Sequence, residues 1–70
     1  MTYLFKIETG VEQDGRPYAT VPTLPGVMAY GATREQAIAK VQPLALEALA
    51  WQLEEQGGPA EPLSLSFSAA

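Results

Sequence analysis

The sequence predicts an α+β domain in which a meander of three antiparallel strands is followed by one long helix and a fourth strand. Residues 3–9 and 63–67 alternate between apolar and polar side chains, which is the period of a half-buried strand. Residues 35–56 are rich in alanine, leucine, glutamate and glutamine, which favour a helix. Proline and glycine separate these segments and supply the turns. We therefore expect the order βββαβ in a single domain that spans residues 1–70.

The first two strands are predicted to form a hairpin. Three apolar side chains share one face of the first strand: Tyr3, Phe5 and Ile7. Asp14 and Gly15 then give a strong hairpin signal, because both residue types tolerate a positive φ. Residues 18–21 are predicted to return as the second strand. Pro22 marks its end, since proline has no N–H to donate to a sheet ladder.

A second turn connects the second strand to the third. Leu24, Pro25 and Gly26 suit a type II turn, in which proline takes the second position and glycine supplies the positive φ at the third. Residues 27–30 are predicted to form a short third strand. Gly31 ends this strand just before the helix.

The helix carries recognisable signals at both ends. Thr33 and Gln36 have the spacing of a capping box, in which each side chain accepts a hydrogen bond from a backbone N–H that the helix leaves unpaired. Pro43 removes one helical hydrogen bond, which predicts either a kink or two abutting helices. Gly57 is predicted to cap the carboxyl end, where a left-handed residue is favoured.

Small size and missing residue types favour self-association. A chain of 70 residues buries only about 60% of the surface that its unfolded form exposes. Cysteine and histidine are absent, which excludes disulfides and makes a zinc site improbable on chemical grounds. Apolar residues sweep about 220° of the helix surface, whereas one buried stripe needs about 100°. The sheet face away from the helix is also expected to be partly apolar, through Leu4, Ala19 and Val21. These features predict a homodimer or a tetramer.

Charge argues against nucleic acid or a membrane as a direct partner. The chain has four basic and eight acidic residues, and the basic ones are scattered rather than clustered. The basic residues all lie before position 41, and four glutamates without a basic counterpart follow it: Glu47, Glu54, Glu55 and Glu61. No secretory signal and no apolar run of membrane-spanning length is present, so we expect a cytoplasmic protein.

Catalytic chemistry finds little support in the sequence. Without cysteine and histidine, the common nucleophile–base pairs cannot form, and no catalytic residue, metal ligand or cofactor is predicted. The one enzymatic alternative is a metal-dependent nuclease that would use the carboxylates of Glu8, Glu12 and Asp14. These residues gather near the tip of the first hairpin, where turn chemistry and solvent exposure explain them better.

Residues 14–41, DGRPYATVPTLPGVMAYGATREQAIAKV, resemble the N-terminal domain of HicB-like antitoxins. The residues that fit the family pattern are Phe5, Asp14, Gly15, Tyr18, Ala19, Val21, Pro22, Leu24, Pro25, Gly26, Gly31, Thr33, Gln36 and Ala37. The resemblance covers about residues 3–53 and implies a partial RNase H-like fold. It also implies a domain that binds and masks a small, messenger-RNA-cleaving toxin of the HicA type, usually as an oligomer. We carry over neither the operator binding nor the RNase H-type nuclease activity of related proteins, and we expect neither from these residues.

The leading hypothesis is therefore a non-catalytic HicB-like module that self-associates and masks a toxin. Its predicted surface combines apolar side chains of the helix with acidic ones: Leu46, Leu49, Trp51, Leu53, Glu54 and Glu55. The alternatives are the nuclease described above and a self-assembling protein or small-ligand binder with another role.

Overall fold

Four strands and one helix follow one another in the predicted order. The computed structural model describes residues 1–69, and its elements are β1 (Thr2–Val11), β2 (Pro17–Thr20), β3 (Met28–Tyr30), α1 (Arg34–Glu55) and β4 (Ser64–Ala69). The strands form one open, mixed sheet with the order β3-β2-β1-β4. The first three strands are antiparallel neighbours, and β4 lies parallel to β1. This parallel pairing requires a long crossover, which α1 provides. The predicted α+β, βββαβ fold is confirmed.

The first hairpin turns through three residues rather than around a two-residue Asp-Gly loop. The Gly15 N–H donates to the Glu12 carbonyl at 2.9 Å, and the Glu12 N–H donates to the Arg16 carbonyl at 2.9 Å. Within this loop, Gly15 has a positive φ of 90°, and Asp14 does not have a positive φ. Asp14 instead accepts a hydrogen bond from the Arg16 N–H at 3.2 Å. A three-residue loop with glycine in the left-handed position is a common hairpin connection.

The second turn is the predicted type II turn. The Val27 N–H donates to the Leu24 carbonyl at 3.1 Å, and Gly26 has a φ of 81°. Leu24 is buried, so the turn is held against the core while Pro22 and Pro25 remain exposed. The strand β2 ends two residues before Pro22. This position agrees with the prediction, because proline has no N–H to donate to a sheet ladder.

The helix is capped at both ends. The Thr33 hydroxyl accepts a hydrogen bond from the Gln36 N–H at 3.0 Å. The Gln36 side chain accepts from the N–H of Ala32, one residue earlier than in an ordinary capping box. At the other end, Gly57 and Gly58 both have positive φ, and their N–H groups donate to the carbonyls of Glu54 and Leu53. These two bonds form a Schellman motif.

Pro43 lies inside α1 without dividing it. The helix runs for 22 residues through this proline, so the alternative of two abutting helices is wrong. Pro43 lies on the exposed side, and the missing hydrogen bond therefore leaves a carbonyl that water can reach. The buried residues keep a four-residue spacing through Pro43, with Ala37 and Val41 before it and Ala45 and Leu49 after it.

The core lies between α1 and the sheet. Every fourth helix residue is buried, and three of these four are small enough to bring the helix axis close to the strands: Ala37, Val41, Ala45 and Leu49. The sheet contributes Phe5 and Ile7 from β1, together with Ala19 and Val21 from β2 and its end. Ala19 pairs with Thr9, two residues from Ile7, and therefore lies on the helix-covered face.

This register corrects one prediction about the open face of the sheet. Ala19 and Val21 are buried in the core and contribute nothing to the open face. Leu4, which is 62% exposed, is on that face as predicted. The sequence pattern could not assign Ala19 and Val21 to a face of the sheet. The strand β2 has only four residues, and so short an alternation does not show which face is covered by the helix.

The helix covers only part of the sheet. It packs against β2 and β3, less against β1, and leaves β4 almost uncovered. The protein is elongated, with extents of 44 × 20 × 15 Å. Aromatic contacts link the uncovered strand to the core, since the rings of Phe5 and Phe67 lie 5.9 Å apart. Leu65 and Phe67 remain half-buried there.

Close packing at the start of the helix predicts a severe effect of Gly31→Ala. A Cβ at this position would come within 2.5 Å of the Ala37 backbone nitrogen, which cannot move without shifting the first helical turn. We expect the free energy of unfolding, measured by urea denaturation, to fall by about 1–3 kcal/mol. The control substitution Ala32→Gly, at the adjacent exposed position, should change the free energy of unfolding by less than about 0.5 kcal/mol. Equal effects of the two substitutions would contradict this packing argument.

Candidate functional site

The predicted partner surface lies on the last three turns of α1, but its six residues do not form one patch. Leu49 is only 5% exposed and belongs to the core, so its assignment to a surface is wrong. It continues the stripe of every fourth residue that begins at Ala37. Leu53 is half-buried and packs against the same core. The apolar arc of the helix is wide, and the sequence alone did not show which part of it faces the sheet.

The remaining apolar residues of the prediction point in different directions. Leu46 and Trp51 are 44% and 64% exposed. At 100° per residue they lie about 140° apart around the helix axis. The arc between them carries exposed polar residues, including Glu47 and Glu54, and the buried stripe lies on the opposite side of the helix. Leu46 and Trp51 therefore border the exposed face from opposite sides.

Trp51 is the centre of the more distinctive region. Its neighbours on the helix surface, at four residues before and at three and four residues after it, are Glu47, Glu54 and Glu55. All three glutamates are exposed, and Leu44 extends the apolar surface two turns towards the start of the helix. We call Leu44, Glu47, Trp51, Glu54 and Glu55 the Trp51 patch.

The Trp51 patch carries negative charge that no ion pair balances. Among residues 1–69, the ion pairs join Asp14 to Arg16 and the terminal amine to Glu61, and neither involves the patch. The carboxyl end of α1 has no basic residue in its last turn, where a cation would interact favourably with the helix dipole. An exposed indole face beside unpaired carboxylates is well suited to a lysine or arginine side chain, which can stack on the ring and pair with a carboxylate.

On the other side of the helix, Leu53 faces a shallow apolar cleft of about 490 Å³. The cleft is lined by Ala50, Leu53, Glu54, Gly57, Gly58 and Pro59. Its walls come from the last helical turn and the glycine cap, so the Schellman motif shapes it. Glu54 is its one charged lining residue and therefore borders both the cleft and the Trp51 patch.

A second polar cluster, which the sequence did not predict, occupies the tip of the first hairpin. The Tyr30 hydroxyl donates to a Glu12 carboxylate oxygen at 3.0 Å, and the Arg16 guanidinium lies 4.3 Å from the Tyr30 ring centroid. Arg16 also pairs with Asp14 at 2.8 Å, and Tyr18 meets Tyr30 edge-on. The pairing of Tyr18 with Tyr30 across β2 and β3 creates this cluster, and it depends on the strand register rather than on any local motif.

Two of the three carboxylates that the nuclease alternative requires have protein partners within the hairpin cluster. Glu12 accepts from Tyr30, and Asp14 is paired with Arg16. Glu8 lies on the open face of β1, opposite Thr20. Across residues 1–69 there is no group of three acidic side chains placed to hold a metal ion.

No protein family, no curated protein and no solved structure matches this chain in a comparison with known proteins. Likewise, residues 1–69 contain no helix with the length and apolar character to cross a bilayer. The resemblance to HicB-like antitoxins therefore rests on the sequence pattern itself.

The hydrogen bond to Glu12 raises the pKa of Tyr30 above its ordinary value of 10.0. Because the folded pKa exceeds the unfolded one, the stabilisation is present below about pH 10 and is lost as the pH rises through the folded pKa. We expect Glu12→Ala to lower the Tyr30 pKa, as followed by NMR titration of the ring carbons.

Glu8→Ala serves as the matched control for this titration. Glu8 is an exposed carboxylate on β1, four residues before Glu12 and outside the Tyr30 hydrogen bond, and its removal should leave the titration unchanged. An unaltered Tyr30 pKa in Glu12→Ala would show that the hydrogen bond does not form in solution.

Proposed function

We propose that this chain is a non-catalytic, partner-binding module of the HicB antitoxin type, which self-associates and masks a small, RNA-cleaving, HicA-like toxin in the cytoplasm. The observation that carries the proposal is the Trp51 patch, in which an indole that is 64% exposed lies among three glutamates without cationic partners. Large exposed aromatic residues are costly to leave in water and are enriched at the centres of protein interfaces.

The chemistry of the patch selects a basic partner. A protein that cleaves RNA needs a positively charged surface to bind the phosphate backbone. Glutamates at positions 47, 54 and 55 present negative charge along about two turns of one helix. Bound to the basic surface of a toxin, this helix would take the place of the RNA phosphates. Charge complementarity of this kind also accelerates association.

Two further observations support the proposal. The turns and caps that carry the resemblance, including the Pro25-Gly26 turn and the Thr33 cap, have the conformations that their residue types predict. The βββαβ order is also the order that the resemblance implies. These features support a scaffold of the HicB type, while the Trp51 patch supports its use in partner binding.

A small-ligand binder is the second candidate function, favoured by the cleft beside Leu53. It is a shallow surface cleft of about 490 Å³. Its lining is apolar apart from Glu54, so it suits a small apolar molecule with a cationic group. Screening by ligand-observed NMR would test this candidate, with Leu53→Ala as the variant expected to reduce binding.

The test of the proposed function is titration of this protein with a HicA-like toxin, that is, a small, basic, RNA-cleaving protein. We expect the two proteins to form a complex at micromolar concentration in isothermal titration calorimetry. Trp51→Ala should weaken the complex at least about 30-fold, the loss typical of an aromatic hot spot. Replacement of Glu47, Glu54 and Glu55 by glutamine should weaken it further and reduce its dependence on salt.

Leu46→Ala is the matched control, because Leu46 is an exposed apolar residue of the same helix on a different side. Its removal should change affinity by no more than a few-fold. Absence of a complex at micromolar concentration would count against the toxin as partner, and equal losses for Trp51→Ala and Leu46→Ala would count against the Trp51 patch.

A further inference from the structure

The outer edge of β4 lacks the features that normally protect an edge strand. In the sheet formed by residues 1–69, β4 is an outermost strand and pairs only with β1. Its six residues, SLSFSA, contain no charge and no proline. Edge strands of soluble proteins usually carry such residues, because unpaired backbone groups recruit other strands. The opposite edge, β3, is only three residues long.

The orientation of Ser64 identifies the backbone groups that are free. Its N–H donates to the Met1 carbonyl at 2.8 Å, so the backbone of Ser64 faces β1. Alternate residues of a strand direct their N–H and C=O groups to opposite sides. Ser66 therefore also faces β1, while Leu65 and Phe67 present their N–H and C=O groups at the outer edge. These groups need partners when water is excluded from them.

The two faces of β4 differ in polarity. Leu65 and Phe67 lie on the helix side of the sheet, half-buried in a region that α1 barely reaches. Ser64, Ser66 and Ser68 lie exposed on the other face. A partner strand must therefore offer apolar side chains on the helix side and small polar ones on the opposite side.

A second copy of this chain meets these requirements. The segment SLSFS has the same polarity pattern in both directions around Ser66, so an antiparallel copy places apolar side chains next to apolar ones and serines next to serines. Each copy carries a net charge of −4, which disfavours contact through charged surfaces. The uncharged β4 edge allows two copies to approach without placing like charges together.

We propose that two copies pair antiparallel along β4, with the two-fold axis at Ser66, to form a continuous eight-stranded sheet. Leu65 of each copy then lies opposite Phe67 of the other, and these pairs exchange backbone hydrogen bonds. Ser66 lies opposite its own counterpart in a pair without hydrogen bonds, where the Cα atoms approach to about 4.5 Å. This assignment deepens the self-association included in the proposed function and does not depend on the Trp51 patch.

Cysteine cross-linking tests the pairing directly, because the chain has no cysteine of its own. In Ser66→Cys, the two thiols lie within the range in which a disulfide forms, and we expect a covalent dimer in a glutathione redox buffer. In the control Ser64→Cys, the two Cα atoms are separated by about 13 Å along the strands. The control should cross-link at least about tenfold more slowly, since disulfides require Cα atoms closer than about 7 Å.

A mixture of two single variants tests the register. Residue 64 of one copy lies opposite residue 68 of the other, so Ser64→Cys mixed with Ser68→Cys should give a covalent heterodimer. Equal rates for Ser66→Cys and Ser64→Cys would overturn the pairing, as would a failure of the mixture to cross-link.

The molar mass from light scattering tests the same pairing without a covalent bond. We expect the unaltered chain to have twice the monomer mass of 7.5 kDa. Ser66→Lys should lower the measured mass towards that of the monomer, because two lysines would lie directly opposite each other in the dimer. Ser64→Lys, which faces a serine, should remain dimeric. A monomeric mass for the unaltered chain at millimolar concentration would overturn the proposal.

Trp51→Ala separates this inference from toxin binding. When combined with Ser66→Cys, it should cross-link at the rate of Ser66→Cys alone, whatever its effect on the toxin complex. Slower cross-linking of the combined variant would show that α1, rather than β4, forms the contact between copies.

Discussion

The close approach of α1 to the sheet determines the other features of this small domain. Alanine at two of the four buried helix positions lets the helix axis lie near the strands, and Gly31 leaves room for its first turn. One helix of 22 residues cannot cover four strands at this distance, and it lies mainly over β2 and β3. The uncovered part of the sheet and the outward side of the helix both follow from this position.

These two uncovered regions are suited to different partners. The Trp51 patch is acidic and aromatic, and it favours a protein with a basic surface. The edge of β4 is neutral and has free backbone groups, and it favours another strand. Because they lie on different elements, one protein could bind a toxin through its helix while its sheet is paired with a second copy. Such a dimer would present two acidic helices and therefore bind with greater avidity.

Local chemistry was sufficient to predict the elements, and tertiary packing decided the surfaces. The type II turn at Pro25 and the cap at Thr33 could be predicted because each depends on a few adjacent residues. Leu49 was misassigned, because composition shows how wide an apolar arc is and not which part of it meets the sheet. The Tyr30 cluster was missed, since only the pairing of β2 with β3 brings its residues together.

The parallel pairing of β1 with β4 also has a kinetic consequence. Thr2 and Ser64 are neighbours in the sheet although 62 positions separate them along the chain. Contacts between such distant residues form late in folding, because they close the largest loop. The meander and the helix can therefore assemble while the outer edge of β1 is still not paired with β4. During that interval β1 can also accept β4 from another chain. This exchange competes with pairing to its own β4 only when the protein concentration approaches the effective concentration of the tethered strand.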